Sequence, residues 1–317
     1  MKKYLLIIFF CGLIQIAFAQ TNSQVYLFSY FKNNGQDGLH LAYSYDGLKW
    51  KAFKNDSSFL KPMVSKDKLM RDPCIIRGGD GKFHMVWTVS WNDSGIGYAS
   101  SSDLIHWSEQ QFLPVMQHEP TARNCWAPEI FFDTKKNEYM IYWATTIPGR
   151  FVAGDTAGDD KYNHRLYYTI TKDFKQFSNT KLLYDNNFNV IDATIQKNGN
   201  QYYMFLKDET KNPAQKNIRI ATSKKLIGEY GNVSAPITGK YWAEGPTVLK
   251  IGEKWLVYFD KYTRHSYGVI ESADLKTWVD LSDQLEMPNG IRHGTVFTVS
   301  RSEFETLIIA EQLKPVQ

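Results

Sequence analysis

Apolar and polar residues alternate with a period of two through short segments that recur along this chain. Phe83-His84-Met85-Val86-Trp87-Thr88-Val89, Glu138-Tyr139-Met140-Ile141-Tyr142-Trp143, Gln201-Tyr202-Tyr203-Met204-Phe205-Leu206 and Lys254-Trp255-Leu256-Val257-Tyr258-Phe259 all read as strands. Each follows a polar turn: Gly79-Asp80-Gly81-Lys82, Asp133 to Asn137, Asn198-Gly199-Asn200 and Gly252-Glu253. A strand precedes each turn, as in Pro73-Cys74-Ile75-Ile76 and Pro246-Thr247-Val248-Leu249, and another follows the central one, as in Gly97-Tyr98-Ala99-Ser100. That third strand runs into a repeated phrase, seen as Ser44-Tyr45-Asp46-Gly47-Leu48-Lys49-Trp50, Ser101-Ser102-Asp103-Leu104-Ile105-His106-Trp107 and Ser272-Ala273-Asp274-Leu275-Lys276-Thr277-Trp278. Thr171 to Phe177 is a further copy, and Thr222 to Tyr230 a looser one that is a residue longer. The closing aromatics lie 57, 70, 53 and 48 residues apart. A period of roughly 50 residues marks repeated units that bury their faces against their neighbours. With a fourth strand at the closing aromatic, each unit is a four-stranded antiparallel meander, the blade of a β-propeller.

The first unit has strands at Val25 to Tyr30 and Leu39 to Tyr43, but no inner strand upstream. The C-terminal end has one strand to spare, Gly294 to Val299. If that strand completes the first blade, five blades close into a ring, which removes the exposed edges of an open sheet. Ser302 followed by Glu305 reads as a capping box, predicting a short helix from Glu303 to about Gln312 over the seam.

Composition changes this picture only at the N-terminus. Lys2 and Lys3, the apolar run Leu5 to Phe18 and the small-x-small end Ala17-Phe18-Ala19 read as a signal peptide over residues 1–19. The run is shorter than the roughly 20 apolar residues a bilayer needs. A lipoprotein reading through Cys11 is weaker, because Phe9 and Phe10 stand where small residues are wanted. The mature protein is expected to begin at Gln20, to be periplasmic or extracellular without stable membrane insertion, and to form one domain over 20–317, as a monomer. Its 35 basic and 33 acidic side chains nearly balance, no basic run occurs, and nucleic acid is not an expected partner. Aromatics at 15% suit both β-sheet cores and carbohydrate-facing surfaces. Two cysteines remain, Cys74 and Cys125; a bridge is permitted in an oxidising compartment, but two buried thiols acting as small apolar residues is the favoured reading.

In a propeller the inner strands line the axis, so their first residues converge. Aligned, those strands read Asp72-Pro73-Cys74-Ile75, Ala127-Pro128-Glu129-Ile130, Asp192-Ala193-Thr194-Ile195, Gly245-Pro246-Thr247-Val248 and His293-Gly294-Thr295-Val296, with Glu244 one step before its aligned glycine. Separations of 120, 52 and 49 residues thereby collapse into one cluster of Asp72, Asp192, Glu244 and His293. A single acid at such a place is most simply bonded to a nearby backbone N–H. Three in register repel one another unless protonated or paired, and mutually perturbed carboxylates are what acid–base chemistry requires.

The series Arg71-Asp72-Pro73, Trp126-Ala127-Pro128-Glu129, Ile191-Asp192-Ala193, Ala243-Glu244-Gly245-Pro246 and Arg292-His293-Gly294 resembles glycoside hydrolase family 43, in order and over essentially the whole mature chain. The resemblance implies a five-bladed propeller that cleaves plant-type arabinose- and xylose-containing glycans with inversion. It makes Asp72 the general base, Glu244 the general acid, and Asp192 the residue that orients the acid and raises its pKa. Inversion requires acid and base to stand about 6.5–9.5 Å apart, leaving room for a water. A carboxylate beside Glu244 is expected to keep it protonated near neutral pH. The resemblance also places His293 near a water-coordinated channel ion, often calcium, with a satisfied core histidine as the competing reading. Arg292 matches a substrate-contacting arginine. No cofactor is needed for the chemistry. Departures are Arg71 where members commonly carry alanine, Glu129 where they carry aspartate, and Ala193 where proline is frequent.

Trp91, Trp126, Trp143 and Trp242 are candidates to stack on a sugar, with Trp126 and Trp242 preferred and the others read as core. The irregular stretch from Ile147 to His164 is a candidate pocket wall, whereas the Ser-x-Asp turns are structural. The activity expected is that of an exo-acting α-L-arabinofuranosidase; β-xylosidase and β-galactanase stay open, as does a glycan-binding propeller without catalysis. An invertase-type reading lacks its Asn-Asp-Pro-Asn-Gly stretch, and a sialidase reading lacks the arginine triad. No Gly-rich phosphate loop follows a first strand.

Overall fold

The computed structural model describes residues 24–151 and 158–312, so the expected signal peptide lies outside the described residues. The chain begins with β1 (Gln24–Lys32), β2 (His40–Ser44) and β3 (Lys51–Ala52). The second sheet holds β4 (Arg71–Arg77), β5 (Phe83–Thr88), β6 (Ile96–Ser101) and β7 (Gln111–Leu113). The third holds β8 (Trp126–Asp133), β9 (Glu138–Thr145), β10 (Arg165–Thr171) and β11 (Lys181–Tyr184). The fourth is β12 (Val190–Asn198), β13 (Gln201–Asp208) and β14 (Asn217–Ser223), and the fifth is β15 (Glu244–Ile251), β16 (Lys254–Lys261), β17 (Ser266–Ser272) and β18 (Val279–Asp280). Strand β19 (Ile291–Ser300) pairs antiparallel with β1, from Gln24 opposite Ser300 to Lys32 opposite Ile291, and completes the first sheet. The fold is a five-bladed β-propeller closed by its C-terminal strand.

Five separate apolar clusters show why the ring holds. Each joins one pair of neighbouring blades. Val25, Leu27 and Leu41 pack on Met85 and Trp87; Val86 and Tyr98 on Ile141 and Trp143; Tyr142 and Leu166 on Ile195 and Met204. Phe205 and Ile220 then meet Val257 and Phe259, and Leu256 with Tyr258 returns to Phe28 and Trp50. Because every blade is sandwiched, successive residues of a central strand serve different interfaces: Met140 and Tyr142 face one neighbour, Ile141 and Trp143 the other. Trp143 is therefore core and takes no part in a site. Cys74 and Cys125 are buried free thiols.

Two expectations need correction. Blade four has three strands rather than four; its outer edge is reduced to a bridge between Thr222 and Gly231. In the other blades the turn aspartate accepts two backbone N–H groups, as Asp103 does from Ile105 and His106, and so aims the chain into the outer strand. The looser copy has Lys224 and Lys225 instead of that aspartate. The helix α1 (Arg301–Gln312) starts directly at the end of β19, so its capping box is Ser300 with Glu303, not Ser302 with Glu305. The Ser300 hydroxyl accepts from the Glu303 N–H at 3.3 Å, and the Glu303 carboxylate accepts from the Ser300 N–H at 2.8 Å. Phe304 and Leu307 anchor the helix against Tyr43 and Phe53.

Closure depends on Gly294, where a β-carbon would fall 1.7 Å from the Ser29 carbonyl oxygen. Gly294→Ala is expected to force β19 from β1 and to lower stability by about 3 kcal/mol or more. Gly231→Ala meets nothing within 4 Å and should stay within about 0.5 kcal/mol of the parent. Urea midpoints of the two variants check the difference.

Candidate active site

All five inner strands carry the same defect at the same end. Between Arg71 opposite Thr88 and Cys74 opposite Val86, strand β4 fits Asp72 and Pro73 against one residue of β5. The register slips likewise between Trp126 and Glu129, Ile191 and Thr194, and Glu244 and Thr247, and in blade one His293 and Gly294 of β19 fit against Tyr30 of β1. These are β-bulges, which re-aim side chains at a sheet rim. The first bulged residue is left-handed in four blades: Asp72 (φ 51), Ala127 (φ 46), Asp192 (φ 52) and Gly245 (φ 58). Aspartate tolerates that conformation better than most residues. Proline suits the second position, where no ladder N–H is required, and it occurs there as Pro73, Pro128 and Pro246.

The bulges deliver the expected residues to one pit of about 240 Å³. Asp72, Asp192, Glu244, Arg292, His293, Trp91, Trp126 and Trp242 all line it. Trp91 and Trp242 are 42% and 40% exposed, and Trp91 meets Trp126 edge-on at 5.5 Å, so Trp91 belongs to the wall and not the core. Asp159, from the irregular stretch between β9 and β10, also lines the pit. A larger hollow of about 720 Å³ near Pro114 and Phe177 has no carboxylate in its lining.

Hydrogen bonds tie the bulges together. The Thr88 hydroxyl donates to Asp72 Oδ2 at 2.8 Å and accepts the Ala127 N–H at 2.8 Å. Asp192 Oδ2 accepts the Gly245 N–H at 3.0 Å. Gly245 is required here twice over: its φ is positive, and a β-carbon would lie 2.4 Å from the His293 ring. The acid of this blade therefore sits one residue earlier, at Glu244. Burial works to raise the Asp72 pKa, but His293, Arg71 and Thr88 outweigh it and bring it to about 2. Burial and the charge of Glu244 push Asp192 up to about 6, against His293.

Glu244 departs from expectation. Burial would raise its pKa, but Lys207, Arg292 and His293 lower it below the usual carboxylate range. Lys207 Nζ donates to Oε2 at 2.9 Å and Arg292 Nη2 to Oε1 at 3.2 Å. The neighbouring carboxylate does not hold the proton on Glu244. In the free site two cations hold Glu244 charged, and of the pair it is Asp192 that takes up a proton at the higher pH.

His293 Nδ1 lies 3.4 Å from Asp72 Oδ1. Burial disfavours its charge, but Asp192, Asp72 and Glu129 raise its pKa to about 9. A doubly protonated ring has no lone pair for a metal. Among the described residues no group of three or more His, Cys, Asp or Glu could hold an ion. The described side chains form no direct ligand set for a channel ion, so the ion that the resemblance implies would have to be held through water. Glu129 sits among these groups, accepting from Thr194 at 3.0 Å and Thr295 at 3.2 Å.

Residues 22–305 match the sequence profile of a family described as a probable glycosyl hydrolase domain, related to glycoside hydrolase family 43. The chain belongs to this family. The α-L-arabinofuranosidase of Bifidobacterium longum subsp. longum is 26% identical over 194 residues, which cover 53% of this chain and 18% of that protein. The chain thus spans a minor part of that relative's length. Among solved structures, an α-L-arabinofuranosidase from Lactobacillus brevis is similar with a TM-score of 0.52 at 17% identity, covering 67% of this chain and 72% of that one. A β-1,3-galactosidase of family 43 has a TM-score of 0.52 at 12% identity, covering 70% and 79%. At these identities the likeness shows the shared propeller.

Several pit residues of this family 43 relative escaped the sequence reading: Thr88, Lys207, Glu209, Tyr262 and, behind Glu244, Asp260. Most stand at or just beyond the ends of second strands. Thr88 lies opposite Arg71, Lys207 opposite Ile191 and Asp260 opposite Glu244. Aligning second strands as well as first ones would have found them.

The His293 pKa is raised in the fold, so its contribution to stability is fully present below its unfolded value of 6.5 and is lost as pH rises through about 9. Relative to His293→Gln, the parent should lose about 2–3 kcal/mol of unfolding free energy between about pH 6 and about pH 10. Denaturant titrations of both proteins across that window check the sign.

Proposed function

We propose that this protein is an inverting glycosidase that releases single sugars from arabinose- or xylose-containing glycans, most simply an α-L-arabinofuranosidase. The observation that carries the reading is the convergence of Asp72, Asp192 and Glu244 in one pit. The pit has room for a single sugar ring, and Trp91, Trp126 and Trp242 wall it, which favours exo action over binding within a long chain. Family membership supports the reaction class. The α-L-arabinofuranosidase relative supports the sugar.

Asp72 is the general base. It is ionised at any working pH and receives the proton of a water as that water attacks the anomeric carbon. Glu244 is the general acid at the leaving oxygen. The Glu244 charge is one of the forces that raise the Asp192 pKa, so the titrations of the two carboxyls depend on each other. The glycosidic oxygen takes its proton from Glu244, which has to be protonated in the substrate complex, as the bond to the anomeric carbon breaks. Arg292 holds Glu244 at one oxygen and Asp260 Oδ2 through Nε at 2.6 Å, fixing the acid from the far side. The proposed steps use only carboxylates and water. A galactose-cleaving reading has its own support in the β-1,3-galactosidase among similar structures, so galactosides belong in the assay.

Asp72→Asn is expected to lower kcat by about 10³-fold or more on every aryl glycoside the parent cleaves. Glu244→Gln should cost a similar factor on substrates with poor leaving groups and far less on dinitrophenyl glycosides, which need no proton. The first product seen by NMR should have the inverted anomeric configuration. Turnover of no arabinofuranoside, xyloside or galactoside by the parent would overturn the reading.

A further inference from the structure

A chain of alternating charges runs away from the pit. Lys207 Nζ, on a side chain 2% exposed, lies 2.9 Å from Glu244 Oε2 and 2.7 Å from Glu209 Oε2. Glu209 Oε1 then meets Lys216 Nζ at 2.5 Å, and that ammonium reaches Asp159 Oδ2 at 3.0 Å. Asp159 opens the short 3-10 turn Asp159–Lys161 at the pit edge and also meets Lys211 at 3.0 Å. The same two lysines lie near aromatic walls: Lys207 Nζ is 4.6 Å from the Tyr262 ring centre and Lys216 Nζ 5.7 Å from that of Trp242.

We propose that Lys207, clamped by Glu209, is a positioning residue that aims one oxygen of Glu244 and holds that carboxylate charged until sugar enters. Lys216 carries the same clamp to the pit edge at Asp159. The inference rests on the role of Glu244 as the acid.

A buried ammonium is poor material for stability, since an apolar side chain of similar size often does as well or better. Its retention here is explained by what it touches. Every partner of Lys207 named above, Glu244, Glu209 and Tyr262, lines the pit. Backbone register places it there, opposite Ile191 and beside Asp192. Its own pKa supports this: burial would lower it, but Glu244 and Glu209 raise it well above the usual lysine value. Glu244 is faced by Lys207 from β13, by Arg292 and His293 from β19, by Asp192 from β12 and by Asp260 from β16. The charge of Arg71 also reaches it, and its own charge reaches the neutral phenols of Tyr262 and Tyr267. Of the cations bonded to it, Lys207 contacts Oε2 and Arg292 contacts Oε1, so removing Lys207 frees one oxygen while the other stays fixed.

The test compares Lys207→Met, Lys207→Arg and Glu209→Gln with the parent in the full mature chain. Two readings are taken: the pH profile of kcat/KM on the best aryl glycoside, and the titration of Glu244 followed by carboxyl 13C NMR. Loss of Lys207 should raise the Glu244 titration and move the basic limb of the profile up by about one pH unit or more. Glu209→Gln removes an anion that competes with Glu244 for Lys207 and should shift both the opposite way by less, and Lys207→Arg should restore the parental limb. An unmoved Glu244 titration in Lys207→Met, or a change confined to KM, overturns the proposal. If Lys207→Met does not fold, an unmoved titration in Glu209→Gln overturns it. If the parent cleaves no glycoside, the glycosidase reading fails, and the NMR titration still decides whether Lys207 governs Glu244.

Discussion

The bulge at the start of each inner strand is the constraint on which the site depends. A regular strand would send successive side chains alternately into the two flanking blade interfaces, where the apolar clusters leave no place for a charge. The extra residue breaks that alternation and turns Asp72 and Asp192 inward with left-handed backbones. Such a conformation costs about 1–2 kcal/mol per residue for most side chains. The bulge hydrogen bonds, Thr88 to Asp72 and Gly245 to Asp192, offset part of that cost. In blade five the His293 ring fills the space above Gly245, which displaces the acid to Glu244.

Closure of the ring makes the bulges converge. Each blade buries both faces only because it has a neighbour on each side, and β19 supplies the inner strand that blade one lacks. That strand also brings Arg292 and His293 into the pit. The seam is thus both the last structural element of the ring and a source of two of its charged groups. Helix α1 covers the neighbouring apolar cluster through Phe304 and Leu307.

The electrostatics of the pit come from a matrix of pairs and not from one acid beside another. Four cations, Arg71, Lys207, Arg292 and His293, are set among five acids that line the pit. Their placement separates the carboxylates into distinct states: Asp72 at about 2, Asp192 at about 6, and Glu244 lowered by its two cationic partners. Carboxyls whose surroundings drive their pKa values apart are the raw material of acid–base catalysis.

Much of this was written in the linear pattern. The period of about 50 residues, the strand alternation and the unpaired C-terminal strand determined five blades and their closure, because repeated units leave few ways to bury both faces. The same register picked out Asp72, Asp192, Glu244 and His293, since equivalent positions of a ring must converge. The tertiary structure alone decided their charge states. Lys207 and Glu209 lie where a second strand ends, and the contact of Lys207 with Glu244 depends on side chains meeting across blades four and five. It also decided that blade four lacks an outer strand and that the helix cap falls on Ser300. A periodic pattern specifies which backbone positions become neighbours; which side chains then pair depends on distances of a few ångströms that no pattern along the chain records.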